Sequence, residues 1–209
     1  METPATATRG RLIVLEGIDG TGKTTLSARL AAALRDAGRR VVETREPWTS
    51  PAGQELRRVL AAKERTTTGT QELELFHADR AAHVAAVVAP ALARGDWVVQ
   101  DRTFWSTAAY QGARGIDVAA ILARSAAIAP MPDLTVLLQL SPEAALERIA
   151  ANRAGTSSFE KLGDLRAVAK VYGELAAAHP EFERIDAAAP LEQVTRELFA
   201  ACRRRLGAP

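Results

Sequence analysis

The chain has 209 residues, 47% of them apolar and 25% charged, and a formal net charge of +2. That length suits one α/β domain or two small ones, with enough apolar residues for a sizeable core. So mild a charge speaks against a partner that is a nucleic-acid polymer, no stretch reaches the roughly 18 uninterrupted apolar residues of a membrane span, and a lone cysteine, Cys202, rules out a disulfide framework within the chain.

The opening METPATATRG lacks the apolar core of a secretion signal. It reads as a disordered lead over residues 1–9 of a cytoplasmic chain. Residues 11–16, RLIVLE, are an apolar run stopped by Gly17, which predicts a buried strand. Leu26, Leu30, Ala33 and Leu34 recur at helical spacing over 23–37, and Gly38 is a stop signal. A second strand is expected over 40–46, closed by Pro47, and a short helix over 53–62. TTTGT (66–70) is a loop with several N-cap candidates, followed by a helical stretch from 71 to 94 that Pro90 kinks or restarts. A turn and third strand fall at 95–101, and helical pattern resumes through 103–127. Residues 133–140 predict a fourth strand. Ser141 and Pro142 open a helix over 141–153. AGTSS breaks it, a further helix spans 159–178, a fifth strand 181–187 and a last helix 190–206. Strands separated by helices imply right-handed βαβ units around a parallel sheet.

LEGIDGTGKTT (15–25) carries the chemistry. Gly17, Gly22, Lys23 and Thr24 fit G-x-x-x-x-G-K-[ST] between a predicted strand and a predicted helix. Glycines let backbone N–H groups curl into an anion cradle, and the following helix adds its positive end. The loop, with Asp19, Gly20, Thr21 and Thr25 completing it, is read as a nucleoside triphosphate site. Lys23 reaches the terminal phosphates and Thr24 serves a Mg²⁺ ion. Asp101 ends an apolar strand, where an unpaired carboxylate is costly without a cation or donors.

Three more stretches converge on the sheet edge beside this loop: TREPWTSPAGQELR (44–57), LELFHADR (73–80) and DRTFWSTAAYQGARGID (101–117). Loops after successive parallel strands open on one carboxyl edge, where ligands bind. The string N-K-x-D of guanine-selective switches is absent. With EGIDGTGKTT, TREP, LELF-x-x-D-R and the long DR-x-x-x-S-T-x-A-Y-Q-G-A-R-G-I-D string, the chain resembles the thymidylate kinases over nearly its whole length. The resemblance implies a three-layer α/β/α P-loop fold with a five-stranded parallel sheet, in a single domain with a short lid about 150–160. It implies transfer of the ATP γ-phosphoryl to dTMP, a need for Mg²⁺, and a homodimer.

The same resemblance implies residue roles. Phe76 stacks on thymine, Arg80 bonds the base carbonyl, and Thr107 and Gln111 read the base edge. Tyr110 lies under the deoxyribose. Arg102 holds the dTMP phosphate, with Ser106, Arg57, Arg45 and Glu46 as supporting candidates. Asp19 contacts the sugar hydroxyl and the acceptor side, and Asp101 supports the metal beside Thr24. Where some members carry an arginine in the phosphate loop, this chain has Gly20, so the lid is expected to supply the charge: Arg153 for the transferring phosphoryl, Arg148 for ATP, with Lys161 in reserve. Two departures stand out. Trp48 follows TREP where many members have a glycine pair, and Thr103 stands where tyrosine is frequent. His77, His83 and His179 are read as structural or surface, and Cys202 as filler. A kinase for another deoxynucleoside monophosphate or a nucleoside stays open at this point, as does a non-catalytic nucleotide-binding switch.

Overall fold

The computed structural model describes residues 9–62, 66–152 and 162–208. Of the expected lid, Arg153 and Lys161 lie outside the described residues, as do residues 1–8 of the lead. Strands β1 (Leu12–Glu16), β2 (Val41–Arg45), β3 (Trp97–Asp101), β4 (Leu134–Gln139) and β5 (Phe182–Asp186) form one parallel sheet in the order β2-β3-β1-β4-β5. Helices flank it in the three-layer α/β/α arrangement. The chain leaves β1 toward one side of the sheet for β2 and β3, and returns on the other for β4 and β5. The carboxyl end of β1 is thus the point where strand order reverses, the place such sheets offer to ligands. The register puts Leu15 opposite Asp101 and Glu16 opposite Leu137 at that edge.

All five residues of β1 are buried. Leu12 and Val14 pack with Val88, Ala91, Leu92 and Val98, while Ile13 and Leu15 join the larger cluster with Leu26, Leu30 and Leu34 of α1 (Lys23–Asp36). That alternation is the period of two of a strand covered on both faces. α2 (Pro51–Ala61) begins two residues before the expected 53, because Ser50 accepts the Gly53 amide at 3.0 Å and Pro51 fills the first helical position. α3 (Gly69–His83) opens on a capping box, Thr68 with Gln71.

The expected helix over 71–94 is not uniform. After α3 comes a π-helical turn, Val84–Val88, and then α4 (Ala89–Ala93). Pro90 has no amide to give the preceding turn, and the widened turn ahead of it takes up the mismatch without a break. The expected run over 103–127 is corrected to two helices, α5 (Phe104–Gly112) and α6 (Val118–Ala126). Gly115 turns the chain at φ +87°, and Asp117 caps α6 by accepting the Ala119 amide. The remaining helices are α7 (Pro142–Asn152), α8 (Leu162–Ala178) and α9 (Leu191–Leu206). Among the described residues no helix is long and apolar enough to cross a membrane.

Candidate active site

The loop from β1 to α1 wraps the Lys23 ammonium. Nζ donates to the carbonyls of Ile18 at 2.8 Å and Gly17 at 3.1 Å, and reaches Thr21 Oγ1 at 3.3 Å. Thr21 itself donates to Ile18 O. Two loop glycines are required by contact as well as by φ. At Gly17 (φ +141°) a Cβ would lie 2.6 Å from the Leu138 carbonyl, and at Gly20 (φ +84°) one would lie 2.7 Å from that of Ala145. An arginine at position 20 would therefore collide with α7, which accounts for the glycine there. Burial, and then Arg102, push the Lys23 pKa down to about 8 against the pull of Asp19, Asp101 and Glu16.

Thr24 and Thr25 are exposed on the first turn of α1. Thr24 Oγ1 donates to Asp101 Oδ2 at 2.8 Å, while Asp101 Oδ1 is buried without a hydrogen-bond partner among the described residues. A buried carboxylate oxygen left so is costly, and a hard cation would satisfy it. Arg45, with Thr24 and Asp101, lines a hollow on this side.

Beside the phosphate loop opens a solvent-connected cavity of about 170 Å³, lined by Asp19, Pro47, Leu60, Phe76, Arg102, Ser106, Tyr110 and Gln111. These residues come from the loop after β1, the loop after β2, α2, α3, the loop after β3, and α5. Helical spacing explains the α5 contribution: Ser106 with Tyr110 and Thr107 with Gln111 are each four residues apart and share a face. Arg102 is the hinge of the cavity. Its NH1 donates to Gly17 O at 3.1 Å and to Ser106 Oγ at 2.9 Å; its NH2 meets Asp19 Oδ1 at 2.5 Å and Tyr110 Oη at 3.4 Å. Its guanidinium carbon lies 5.3 Å from the Tyr110 ring centroid. Burial pushes the Tyr110 hydroxyl up to about 12, so it stays a neutral phenol.

Arg80, Glu46 and Thr107 are placed one layer back. Arg80 is fully buried, and so differs from the exposed pairing with Asp79 that its sequence neighbourhood alone would suggest. It donates to Glu46 Oε2 through Nε (3.1 Å) and NH2 (2.7 Å), and through NH2 to Thr107 Oγ1 at 2.9 Å. Gln100 and His83 hold the other oxygen of Glu46. Burial pushes the Glu46 carboxyl up, but Arg80 and His83 outweigh it and leave its pKa below the usual value. Arg80 NH1 has no hydrogen-bond partner among the described residues. Arg57 donates to the carbonyls of Pro47 and Trp48 at 2.8 and 2.7 Å, fixing the loop that borders the cavity. Trp48 fills that loop: its amide donates to Asp79, and its ring stacks on His83 at 5.5 Å. Arg148 lies on α7 and donates to the Ala187 carbonyl at 2.9 Å.

Two residues at the site escaped the sequence reading. Glu16 and Tyr172 are buried between the phosphate loop and α5, where Glu16 accepts from Thr103, Ser106 and Tyr172. Glu16 carried a usable signal, a carboxylate ending an apolar strand, the feature that singled out Asp101. Tyr172 carried none, since its place on α8 follows the same apolar period as Leu165, Val168 and Leu175.

A thymidylate kinase family model matches residues 15–198. This chain belongs to the thymidylate kinase family. It is 42% identical over 191 residues to the thymidylate kinase of Xanthomonas euvesicatoria pv. vesicatoria (strain 85-10), covering 91% of this chain and 82% of that one. The probable thymidylate kinase of Archaeoglobus fulgidus is 43% identical over 187 residues, covering 90% of this chain and 92% of its own. That of Synechococcus sp. (strain RCC307) is 42% identical over 200 residues, with 91% and 94% covered. The match to the thymidylate kinase family takes in the phosphate loop, the cavity with the layer behind it, and the first half of α9.

Proposed function

We propose that the chain moves the γ-phosphoryl group of ATP to dTMP across the carboxyl edge of the sheet, with Lys23 and Arg102 as facing cationic clamps. Family membership makes it an ATP-dependent phosphotransferase of nucleotide biosynthesis that converts dTMP to dTDP. The observation that carries the clamp is Arg102: one guanidinium touches the phosphate loop at Gly17 and Asp19 and also lines the cavity that holds Phe76.

On this reading ATP lies on Gly17 to Thr25, with Lys23 at its terminal phosphates and Arg148 on its outer side. dTMP occupies the cavity, its base on Phe76 and its sugar over Tyr110. Gln111 and Thr107 select the base edge, and the unpartnered NH1 of Arg80 supplies a donor there. Arg102 and Ser106 take the acceptor phosphate, with Arg57 and Glu46 shaping the loop beside it. Asp19 meets the sugar hydroxyl. Arg153 is proposed, from the sequence alone, as the lid cation on the transferring group.

Thr24 and Asp101 fit Mg²⁺. Among the described residues no cluster of three or more His, Cys, Asp or Glu could hold a metal, and Mg²⁺ takes few protein oxygens, keeping waters and substrate phosphates instead. When bound, the ion neutralises charge on the transferring phosphoryl. The protein does no covalent chemistry. Its cations bring two repelling phosphates together and hold attacking and leaving oxygens in line. A single domain with a lid, a homodimer and a cytoplasmic location are proposed on the family resemblance.

A coupled assay with ATP, Mg²⁺ and each deoxynucleoside monophosphate tests the function. ADP should appear only with an acceptor, and fastest with dTMP. Equal rates with dCMP or dGMP would sink the base selectivity, and ADP without any acceptor would sink the kinase. The pH profile tests Lys23 separately. Free-enzyme kcat/KM for ATP should fall as pH rises through about 8, where the ammonium loses its proton. Bound phosphates favour the charged form, so the limb in kcat should lie at higher pH. Lys23→Arg should remove the limb from kcat/KM; a limb that persists there belongs to another group.

A further inference from the structure

Glu16 touches neither proposed nucleotide, yet it is the last residue of β1 and wholly buried. A carboxylate in that position needs its lone pairs occupied. Four donors meet it. The Thr103 amide (2.7 Å) and Thr103 Oγ1 (3.0 Å) reach Oε1, and Ser106 Oγ (2.6 Å) and Tyr172 Oη (2.8 Å) reach Oε2. Any four donors would satisfy the charge. These come from residues that also hold Arg102.

Arg102 is the one non-glycine residue with positive φ among the described residues, at +70°. A side chain keeps such a conformation only where its surroundings over-determine it. Three bonds do so here. The Arg102 amide donates to Leu15 O at 3.0 Å, Gln100 Nε2 donates to Arg102 O at 3.0 Å, and the next amide, Thr103, donates to Glu16. At the far end of the side chain, Arg102 NH1 donates to Ser106 Oγ at 2.9 Å and lies 3.5 Å from Tyr172 Oη. Each hydroxyl has a single proton. Ser106 Oγ and Tyr172 Oη also lie 2.8 Å apart, so their two protons sit within the triangle they close with Glu16 Oε2, the strongest acceptor in reach, and hydroxyl lone pairs are left for the guanidinium.

We propose that Glu16 is a positioning residue for the acceptor phosphate, holding Arg102 at its backbone and, through Ser106 and Tyr172, at its guanidinium. The inference rests on the proposed reading that Arg102 grips the dTMP phosphate. Glu16 adjoins Gly17, so the same residue fixes the distance between the phosphate loop and the acceptor clamp.

Glu16→Gln keeps the shape but turns one acceptor oxygen into a donor. Calorimetry and steady-state kinetics on the full chain should show dTMP binding weakened about 10- to 100-fold, the scale of lost hydrogen bonds to a charged group. KM for ATP should be nearly unchanged. In an Arg102→Ala background the same substitution should cost at most about twofold, because its route to the substrate is already gone. A full loss in both backgrounds, or equal losses for ATP and dTMP, would overturn the proposal. If Glu16→Gln does not fold, Tyr172→Phe removes one leg of the support. It should weaken dTMP binding severalfold, again only where Arg102 is present; no change, or a loss that persists in Arg102→Ala, overturns the proposal. Arg102→Ala alone separates the two ideas. Unaltered dTMP binding there ends the phosphate-gripping reading itself, whereas weakened binding with a fully additive Glu16→Gln ends only this inference.

Discussion

Lys23→Met should yield a folded protein whose turnover is lower by at least about 10³-fold, the scale on which a preorganised electrostatic group acts. The methionine keeps most of the stem volume and loses the charge. Nothing else in the phosphate loop replaces that charge, since Arg102 is committed to Asp19, Ser106 and the acceptor cavity. The fold should tolerate the change. The ammonium is buried, and burial is the largest cause of its depressed pKa, so the native state carries it at a cost that the substitution removes. The carbonyls of Gly17 and Ile18 lose a donor, which offsets part of that gain. The melting temperature should therefore stay within a few degrees of the parent while kcat collapses. A near-normal kcat in the coupled assay would show that Lys23 does not act on the transferring phosphoryl.

The same balance between local chemistry and burial decides what the sequence could disclose. The phosphate loop was legible because its requirements are local: glycines at tight contacts, a lysine, a hydroxyl and a helix start, all within ten residues. The centre of the sheet was legible because β1, β3 and β4 are buried on both faces and read as apolar runs, whereas the edge strands β2 and β5 are half-exposed. The helix expected over 103–127 is two helices, since Gly112 and Gly115 in an alanine-rich stretch do not announce a turn until Asp117 is seen to cap a new helix. Pro90 announces a disturbance in the sequence, but not the π-helical turn that absorbs it, beside which Val88 and Leu92 pack against β1.

At the site, what the sequence left out was layering. Phe76, Arg102, Ser106, Tyr110 and Gln111 line the cavity, while Arg80, Glu46 and Thr107 form a hydrogen-bonded layer behind it. Residue type does not separate the two, because an arginine that lines the cavity and one buried behind it have the same chemistry. Glu16 was missed for a related reason. Its partners, Ser106 and Tyr172, are 90 and 156 residues away along the chain. His83 likewise becomes intelligible only in three dimensions, packed between the Thr44 hydroxyl, Glu46 and the Trp48 ring. Cys202 is buried on α9 with its thiol pKa pushed up to about 12 by burial, and so is unreactive as a thiolate.

Arg102→Ala should lower kcat/KM for dTMP by about 10³-fold or more while ATP binding changes little, and Arg102→Lys should recover only a small part of that loss. The guanidinium reaches Gly17 O and Ser106 through NH1, and Asp19 and Tyr110 through NH2. A lysine ammonium is a single point and cannot span those partners or grip two phosphate oxygens as a fork does. Position 102 adds a second difficulty for any replacement. Its φ of +70° is held by its own backbone bonds to Leu15 and Gln100 and by the next amide's bond to Glu16, so the backbone will not relax to suit a different side chain. Arg102→Gly makes the control: it fits that φ without strain and lacks the cation. If Arg102→Gly matches Arg102→Ala in dTMP kinetics but melts higher, the lost activity belongs to the guanidinium and the lost stability to the backbone. If Arg102→Lys instead works as well as the parent, a positive charge alone suffices, and the two-pronged grip on the acceptor phosphate is wrong.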